Sequence, residues 1–277
     1  MKRIGGLRAI ADGSAPDAVA AIDRMLADVE REDEVTIALA IESGSRAWGF
    51  ASPDSDYDCR FIFVRPLSDY LTPWPRRDVI ERPLEGDLDV NGWDLAKALK
   101  LMLKGNAVVL EWLRSPFAYA GDAAFRDELS GLARRWADRD LVARHYLHLG
   151  ERQRRTYFPD GQAVAIKKLF YALRPAAALR WLRLRGEAVP PMHFPTLMAE
   201  CAPPDEVAAA AAVLLEAKAR TRELGSAAVP RAIGAFIDEE FALAQAALSG
   251  RTAKPPPEAR TEAERFFRET VLRFDAR

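Results

Sequence analysis

Three aspartates have the types and spacing that support chemistry on phosphates. Asp56 and Asp58 flank Tyr57, and Asp89 lies inside a short run of strand-forming residues. On an extended backbone, residues i and i+2 point to the same face, so Asp56 and Asp58 are predicted to present two carboxylates side by side. If the strand that holds Asp89 lies next to theirs, a third carboxylate joins the pair.

Such a cluster predicts bound cations. Two like charges about 4 Å apart repel by roughly 4 kcal/mol at an effective dielectric near 20, so a fold that keeps three carboxylates together needs a compensating charge. A hard divalent cation with oxygen ligands provides it, and we expect Mg²⁺ or Mn²⁺. Two such ions about 3.5–4 Å apart support in-line phosphoryl transfer. The expected metal ligands are Asp56, Asp58 and Asp89.

Gly44 and Ser45 form a predicted phosphate-binding turn, because they follow an apolar run that indicates a buried strand. Glycine lets the backbone approach a ligand closely, and a turn that opens a helix presents free N–H groups to phosphate. Ser45 adds a hydroxyl. We therefore expect the turn to hold a triphosphate and the carboxylates to hold the metals.

Each feature has a simpler explanation when it stands alone. An Asp-x-Asp at the mouth of a strand is commonly a solvated turn, and a Gly-Ser before a helix is commonly a cap. Asp89 is harder to dismiss, because an unpaired carboxylate buried in an apolar strand is costly. Asp87 is its nearest rival, but its place after Gly86 predicts a solvent-exposed side chain. The ordered combination favours a site.

The hydrophobic patterns predict an α+β chain, with strands before Pro116 and helices after it. Strands are predicted at 35–41, 59–64 and 88–93, with a weaker one at 78–81. Helices are predicted at 15–30, 95–103, 106–113, 124–136, 139–157, 163–185, 206–224, 232–248 and 258–274. The expected domains are 1–118 (catalytic), 119–250 (helical, substrate-binding) and 251–277 (Pro linker and a final helix that packs back on the body).

The motifs resemble those of the polymerase β-like nucleotidyltransferases, whose signature is Gly-[Gly/Ser], then Asp-x-[Asp/Glu], then a later strand carboxylate. Gly44-Ser45, Asp56-x-Asp58 and Asp89 match it. Longer segments look like the predicted bacterial and phage nucleotidyltransferases associated with RNA-ligase repair operons: 42–49, 55–60, 92–97, 106–113, 167–175 and 180–181. The resemblance implies a catalytic domain with a mixed sheet and flanking helices, followed by an all-helical domain.

The resemblance also implies roles. Asp56 and Asp58 bind both metals, and Asp89 binds the metal that activates the attacking hydroxyl. Gly44 and Ser45 hold the β- and γ-phosphates. The implied reaction transfers a nucleoside monophosphate from an NTP to an acceptor hydroxyl, expected to be an RNA end, and releases pyrophosphate.

Five further residues are candidate nucleotide contacts. Arg46 and Arg60 flank the site and either touch phosphate or pair with nearby acids. Lys167, Tyr171 and Arg174 belong to the helical part. Tyr171 and Arg174 are spaced i and i+3, so they share a helix face, and Tyr171 is a candidate to stack on the base.

A basic segment lies between Arg144 and Gly186, where ten Lys or Arg residues accompany two acidic ones. It predicts either a surface for an RNA end or a triphosphate, or a solvated helix face. His145 and His148 are spaced to share a metal, but no third ligand is evident, so we expect them to be structural.

Bulk properties exclude several classes of protein. The net charge of −1 is not that of a general polyanion binder. Cys59 and Cys201 are too isolated for a disulfide framework, and no apolar stretch is long enough for a membrane span. We therefore expect a cytoplasmic protein of unspecified oligomeric state. The alternatives left open are a protein or small-molecule acceptor, and a non-catalytic, antitoxin-like binding module.

Overall fold

A five-stranded mixed sheet carries the predicted carboxylates. The computed structural model describes residues 6–158, 164–220, 226–252 and 254–276, with their side chains except those of 164–167, 220, 226 and 227. The strands are β1 Thr36–Ser43, β2 Tyr57–Val64, β3 Val79–Glu81, β4 Leu88–Asp94 and β5 Ala118–Gly121. Their order across the sheet is β3-β4-β2-β1-β5. β2 and β4 run parallel, and the other neighbouring pairs run antiparallel.

Helices flank the sheet, and the second half of the chain is almost entirely helical. Those of the first half of the chain are α1 Pro16–Glu32, α2 Gly44–Ala47, α3 Leu67–Tyr70, α4 Leu95–Leu103, α5 Ala107–Arg114 and α6 Ala123–Trp136. They are followed by α7 Arg139–Tyr157, α8 Ile166–Leu184, α9 Phe194–Cys201, α10 Asp205–Arg220, α11 Arg231–Leu248 and α12 Pro257–Asp275. A two-residue pair, β6 Val164–Ala165 with β7 Ser226–Ala227, lies among them. Within the described parts of the chain, no helix combines the length and the apolar character that crossing a membrane requires.

The central strand β1 is apolar along its length because both of its faces are covered. Residues 37–42 are all buried. On one face, α1 packs its apolar stripe, including Ile22 and Val29, against Ile37 and Ala40. On the other face, Leu39 and Ile41 join a larger core formed mostly by helices. A strand buried on both faces reads as a continuous apolar run rather than an alternating one.

The predicted secondary structure is confirmed for most elements, and the helix caps explain several boundaries. Asn106, predicted to cap a helix, accepts hydrogen bonds from the backbone N–H groups of Val108 and Val109 at the start of α5. Asp94 and Asp138 cap α4 and α7 in the same way. These oxygens satisfy N–H groups that have no partner within the helix. The short helix expected at the Gly44-Ser45 turn is present as α2. The short elements α3, α9 and β5 were not predicted, because each offers too few residues for a periodic pattern.

The boundary predicted after residue 118 falls inside β5, so the sheet extends beyond the segment assigned to the catalytic domain. β5 pairs with β1, and Leu39 lies opposite Gly121. The core also crosses this boundary, since Ile41 of β1 belongs to the same cluster as Phe170 of α8. The strand Ala-Tyr-Ala-Gly is short and poor in β-branched residues, which is why its pattern is weak.

The last helix returns to the first half of the chain, as predicted. α12 packs against α3, α4 and α6. The Asp275 carboxylate accepts a hydrogen bond from the Leu67 backbone N–H at 2.9 Å, and the Phe267 ring meets the Tyr70 ring edge to face. The last helix therefore stabilises the helices that flank the sheet in the first half of the chain.

Candidate active site

One pocket brings together most of the residues that the sequence singles out. It lies where β1 turns into α2 and where β2 begins, with α8 on its other side. Its lining residues are Ser43, Gly44, Ser45, Trp48, Asp56, Asp58, Arg60 and Tyr171. The turn, the aspartate pair and one aromatic residue of the helical part thus share a single cavity.

Gly44 allows the Asp58 carboxylate to lie directly against the turn. Its φ angle is +64°, and a Cβ at this position would fall 1.9 Å from Asp58 Oδ2. A side chain at this position would be unfavourable for two reasons: the positive φ angle strains any residue other than glycine, and the Cβ would overlap the Asp58 carboxylate. The glycine is therefore required for the contact between the turn and the carboxylate, a reason that the signature alone does not reveal.

Asp89 lies beside Asp58 because β2 and β4 are parallel neighbours. The strand of Asp89 is therefore next to that of Asp58, as the prediction of a third carboxylate required. The two residues are register partners across the ladder. Arg60 lies between their side chains: its Nη2 atom donates to Asp58 Oδ1 at 3.1 Å and to Asp89 Oδ2 at 2.6 Å. Its Nη1 atom also donates to the Asp89 carbonyl oxygen. Of the two roles considered for Arg60, pairing with nearby acids is the one observed, and Arg60 also lines the pocket.

The carboxylate oxygens of this site are suitable ligands for a hard divalent cation. In the structure, Arg60 provides the positive charge that compensates Asp58 and Asp89. Asp56 and Asp58 both line the pocket, and the side chains of Asp58 and Asp89 are 28% and 38% exposed. Carboxylate oxygens are the ligands that Mg²⁺ prefers. Within the described residues, no group of three or more His, Cys, Asp or Glu side chains is arranged to hold a metal ion.

Arg46 holds the segment before Asp58 from outside the pocket. Its Nε atom donates to the Asp56 carbonyl oxygen at 3.1 Å and its Nη2 atom to that of Ser55 at 2.5 Å. Its guanidinium group also lies over the Tyr57 ring, 3.8 Å from the centroid. Arg46 does not line the pocket, so the structure shows it in contact with the protein backbone where a nucleotide contact was predicted.

Glu42 is a functional candidate that the sequence reasoning missed. It is 2% exposed, and its Oε1 atom accepts a hydrogen bond from the Asp58 backbone N–H at 3.0 Å. Its other oxygen accepts one from the Tyr119 hydroxyl. Burial raises the pKa of Glu42 to about 7, against the opposing effect of these hydrogen bonds. The signal was available: one acidic residue ends an otherwise apolar strand.

Tyr171 contributes an aromatic wall from the helical part. Its ring meets Trp48 edge to face. It lines the same pocket as Asp56 and Asp58. Burial raises the pKa of the Tyr171 hydroxyl, and the negative charges of Asp58 and Asp56 raise it further. The Lys168 ammonium group lies 5.2 Å from the Tyr171 ring centroid and 4.3 Å from that of Tyr157.

Arg174 does not share the pocket with Tyr171. It is buried, and its guanidinium group forms an ion pair with Glu111 at 2.5 Å. Glu111 also accepts a hydrogen bond from the Tyr146 hydroxyl. The guanidinium carbon lies 4.4 Å from the Trp48 ring, so Arg174 supports the pocket wall from below. The side chain of Lys167 lies outside the described residues, and its role stays a prediction.

Most of the described basic residues of the segment between 144 and 186 join helices to one another. Arg180 and Arg183 both pair with the buried Glu240 of α11, and Arg154 pairs with Asp238. Arg144 donates to the carbonyl oxygens of Leu248 and Arg251. The segment is therefore basic largely because α7 and α8 meet the acidic side chains and free carbonyl groups of their neighbours. Arg152 and Arg155 remain exposed.

The mixed sheet, the Gly44-Ser45 turn and the paired aspartates of one pocket define a polymerase β-like nucleotidyltransferase fold. A model of the family described as the RNA repair pathway DNA polymerase beta family (RlaP) matches residues 19–269. The chain belongs to this family. It is also similar to the uncharacterized protein YcgL of Bacillus subtilis (strain 168), with 41% identity over 213 residues that cover 77% of this chain and 81% of the relative. The family match supports a nucleotidyltransferase-type role in RNA repair.

Proposed function

We propose that the protein transfers a nucleoside monophosphate from an NTP to a hydroxyl group at an RNA end and releases pyrophosphate. The observation that supports this most directly is the pairing of Asp58 with Asp89 on parallel strands beside the Gly44-Ser45 turn. A nucleotide and an attacking hydroxyl must meet at one place, and this pocket presents acidic and small residues together.

The residues have distinct proposed roles. Gly44 and Ser45 hold the triphosphate, because the turn lines the pocket and its glycine lets the Asp58 carboxylate lie directly against it. Tyr171 and Trp48 form an apolar wall on which the base packs. We assign Asp89, which Arg60 links to Asp58, to the acceptor hydroxyl.

Asp56 and Asp58 would hold a divalent cation, Mg²⁺ or Mn²⁺, and Asp89 is the third carboxylate available to it. When bound, such an ion neutralises phosphate charge and favours the ionised form of an attacking hydroxyl. Arg60 already neutralises part of this carboxylate cluster. It therefore keeps Asp58 and Asp89 close together despite their repulsion.

The acceptor is proposed to be RNA because the family description names RNA repair. Lys168 contacts the Tyr171 ring of the pocket wall, and unlike Arg174 it is not buried in an ion pair with Glu111. It is suited to a backbone phosphate of the acceptor.

The experiment is incubation of the protein with each labelled NTP, Mg²⁺ or Mn²⁺, and a panel of RNA ends, with proteins and aminoglycosides as alternative acceptors. Label transfer to RNA that Asp58→Asn abolishes supports the proposal. Asp87→Asn is the matched control, because Asp87 is a nearby carboxylate with an exposed side chain. Transfer only to a protein or small molecule would overturn the RNA assignment, and no transfer to any acceptor would favour a binding module.

A further inference from the structure

The segment that carries Asp56 and Asp58 is held through its backbone by Glu42 and Arg46, two residues that do not line the pocket. Ser43 and Asp58 form the last pair of the β1–β2 ladder. At this point the Asp58 N–H donates to the Glu42 side chain. Ser55 and Asp56, the last two residues of the loop before β2, direct their carbonyl oxygens to Arg46.

Glu42 is fixed more firmly than a surface carboxylate. Each of its side-chain oxygens accepts a hydrogen bond, one from the Asp58 N–H and one from the Tyr119 hydroxyl. In addition, its own carbonyl oxygen accepts a hydrogen bond from Ser115 Oγ at 2.6 Å. A buried polar group with every partner in place rigidifies its surroundings, whereas loss of one partner is costly. The position of the Asp58 amide is therefore defined by β5 and the 115–117 turn as well as by β1.

Arg46 complements Glu42 at the other end of the segment. Its planar guanidinium group offers donors in a rigid fork, and this fork spans two successive carbonyl groups while its face covers the Tyr57 ring. Glu42 and Arg46 both belong to the stretch that forms the pocket turn. One stretch of chain thus lines the pocket with Gly44 and Ser45 and fixes the aspartates with the residues on either side.

We propose that Glu42 and Arg46 are positioning residues that fix the backbone of the Asp56–Asp58 segment so that both carboxylates face the pocket. This inference rests on the proposed function for its effect on turnover, but not for its effect on the backbone. A displacement of about 1 Å at a reacting group lowers a rate by roughly 100-fold. Loss of Glu42 or Arg46 should therefore lower the maximal rate more than it weakens the binding of NTP.

The first test does not depend on any activity. Amide hydrogen exchange at Asp58 is measured by NMR in the wild type, Glu42→Ala and Glu42→Gln. We expect exchange at least about 10-fold faster in Glu42→Ala, because the amide loses its acceptor. Glu42→Gln keeps an amide oxygen at this position and should remain within a few-fold of the wild type.

Glu30 offers a matched control at the opposite end of β1. Its Oε1 atom accepts a hydrogen bond from the Ile37 backbone N–H at 3.0 Å, so Glu30→Ala removes the same kind of bond away from the pocket. Asp58 exchange should be unchanged in Glu30→Ala. If Glu42→Ala does not fold, Tyr119→Phe removes one bond to Glu42, and a smaller rise in Asp58 exchange is expected. Unchanged exchange in the folded Glu42 or Tyr119 variant would overturn the proposal.

The second test compares kcat and KM. Glu42→Ala and Arg46→Ala should lower kcat by roughly 10- to 100-fold while KM for NTP stays within about three-fold. Glu42→Gln should recover most of the rate, and Arg46→Lys should not, because an ammonium group cannot span two carbonyl groups. Equal losses in Glu42→Ala and Glu42→Gln, with normal Asp58 exchange in the latter, would overturn the positioning role. If no acceptor is ever labelled, the proposed function fails. The hydrogen-exchange measurement still tests whether Glu42 fixes the backbone of the Asp56–Asp58 segment.

Discussion

At the start of β2, the carboxylates of Asp56 and Asp58 line a pocket, and that of Asp58 is partly exposed. Between the helices, those of Glu111 and Glu240 are buried, at 6% and 1% exposure, each against arginine side chains. Both regions pair acids with arginines, but they differ in how far the carboxylate is exposed. Glu240 stays buried although it borders a cavity between the helices, whereas 28% of the Asp58 side chain is exposed. A buried pair organises packing, whereas a partly exposed carboxylate in a pocket remains accessible to a ligand.

The basic residues differ between the two regions in the same way. Arg60 and Arg46 act within the pocket or directly behind it. Arg180 and Arg183 join α8 to α11 through Glu240. A run of arginines in the sequence therefore indicates a binding surface only after the pairs between helices have been discounted.

The largest expected effect is on turnover at the strand ends. Asp58→Asn should lower the rate of nucleotidyl transfer by about 10³-fold, since electrostatic groups at a reaction centre contribute on this order. The free energy of unfolding should change by less than about 1 kcal/mol, because Asp58 is a partly exposed side chain. Labelled-NTP turnover and urea unfolding measure the two effects. Near wild-type turnover would remove Asp58 from the site.

The opposite result is expected at the buried pair. Glu111→Gln leaves the Arg174 charge buried without its counter-ion and should lower the free energy of unfolding by about 3 kcal/mol. The double variant Glu111→Leu/Arg174→Met removes both charges and should recover much of this loss. Chemical denaturation of the three proteins measures both steps. A single variant as stable as the wild type would show that the pair does not organise the helices.

A smaller effect is expected at Lys168, the residue beside the pocket wall that we assign to binding of the acceptor. Lys168→Gln should weaken RNA binding and reduce the dependence of log K on log salt by about one unit. Lys100→Gln, which removes an exposed charge on α4, should leave the slope unchanged. Fluorescence titrations with a short RNA at several salt concentrations measure the slopes. Equal slopes in all three proteins would show that Lys168 makes no phosphate contact.

The smallest effect concerns pH. Burial lowers the pKa of His145 below its ordinary value of 6.5. The unfolded chain then binds the proton more tightly, so the stability that the neutral imidazole contributes is present above about pH 6.5 and declines as the pH falls. Thermal unfolding at pH 7 and pH 5 should therefore show a weaker pH dependence in His145→Asn than in the wild type. His148→Asn, at an exposed position of the same helix, should behave like the wild type.

Local rules explain why much of the site was predictable. Alternation along an extended chain places Asp56 and Asp58 together, and both line the pocket. A glycine in a turn between a strand and a helix indicates a close approach, and Gly44 makes one with Asp58. The role of Arg46 was not predictable, because its partners are backbone carbonyl groups that no residue type reveals. Glu42 was overlooked for the same reason, since its partner is a backbone amide.

The sequence by itself determined the α+β class, most helices and strands, and the turn and aspartate pair, because these depend on residues a few positions apart. Only the tertiary structure decided that β4 pairs with β2, which places Asp89 opposite Asp58. It also decided that Arg174 is buried against Glu111, while Tyr171 of the same helix faces the pocket. Strand neighbours and ion-pair partners are chosen by the burial and compensation of groups far apart in the chain, and no local pattern encodes that choice.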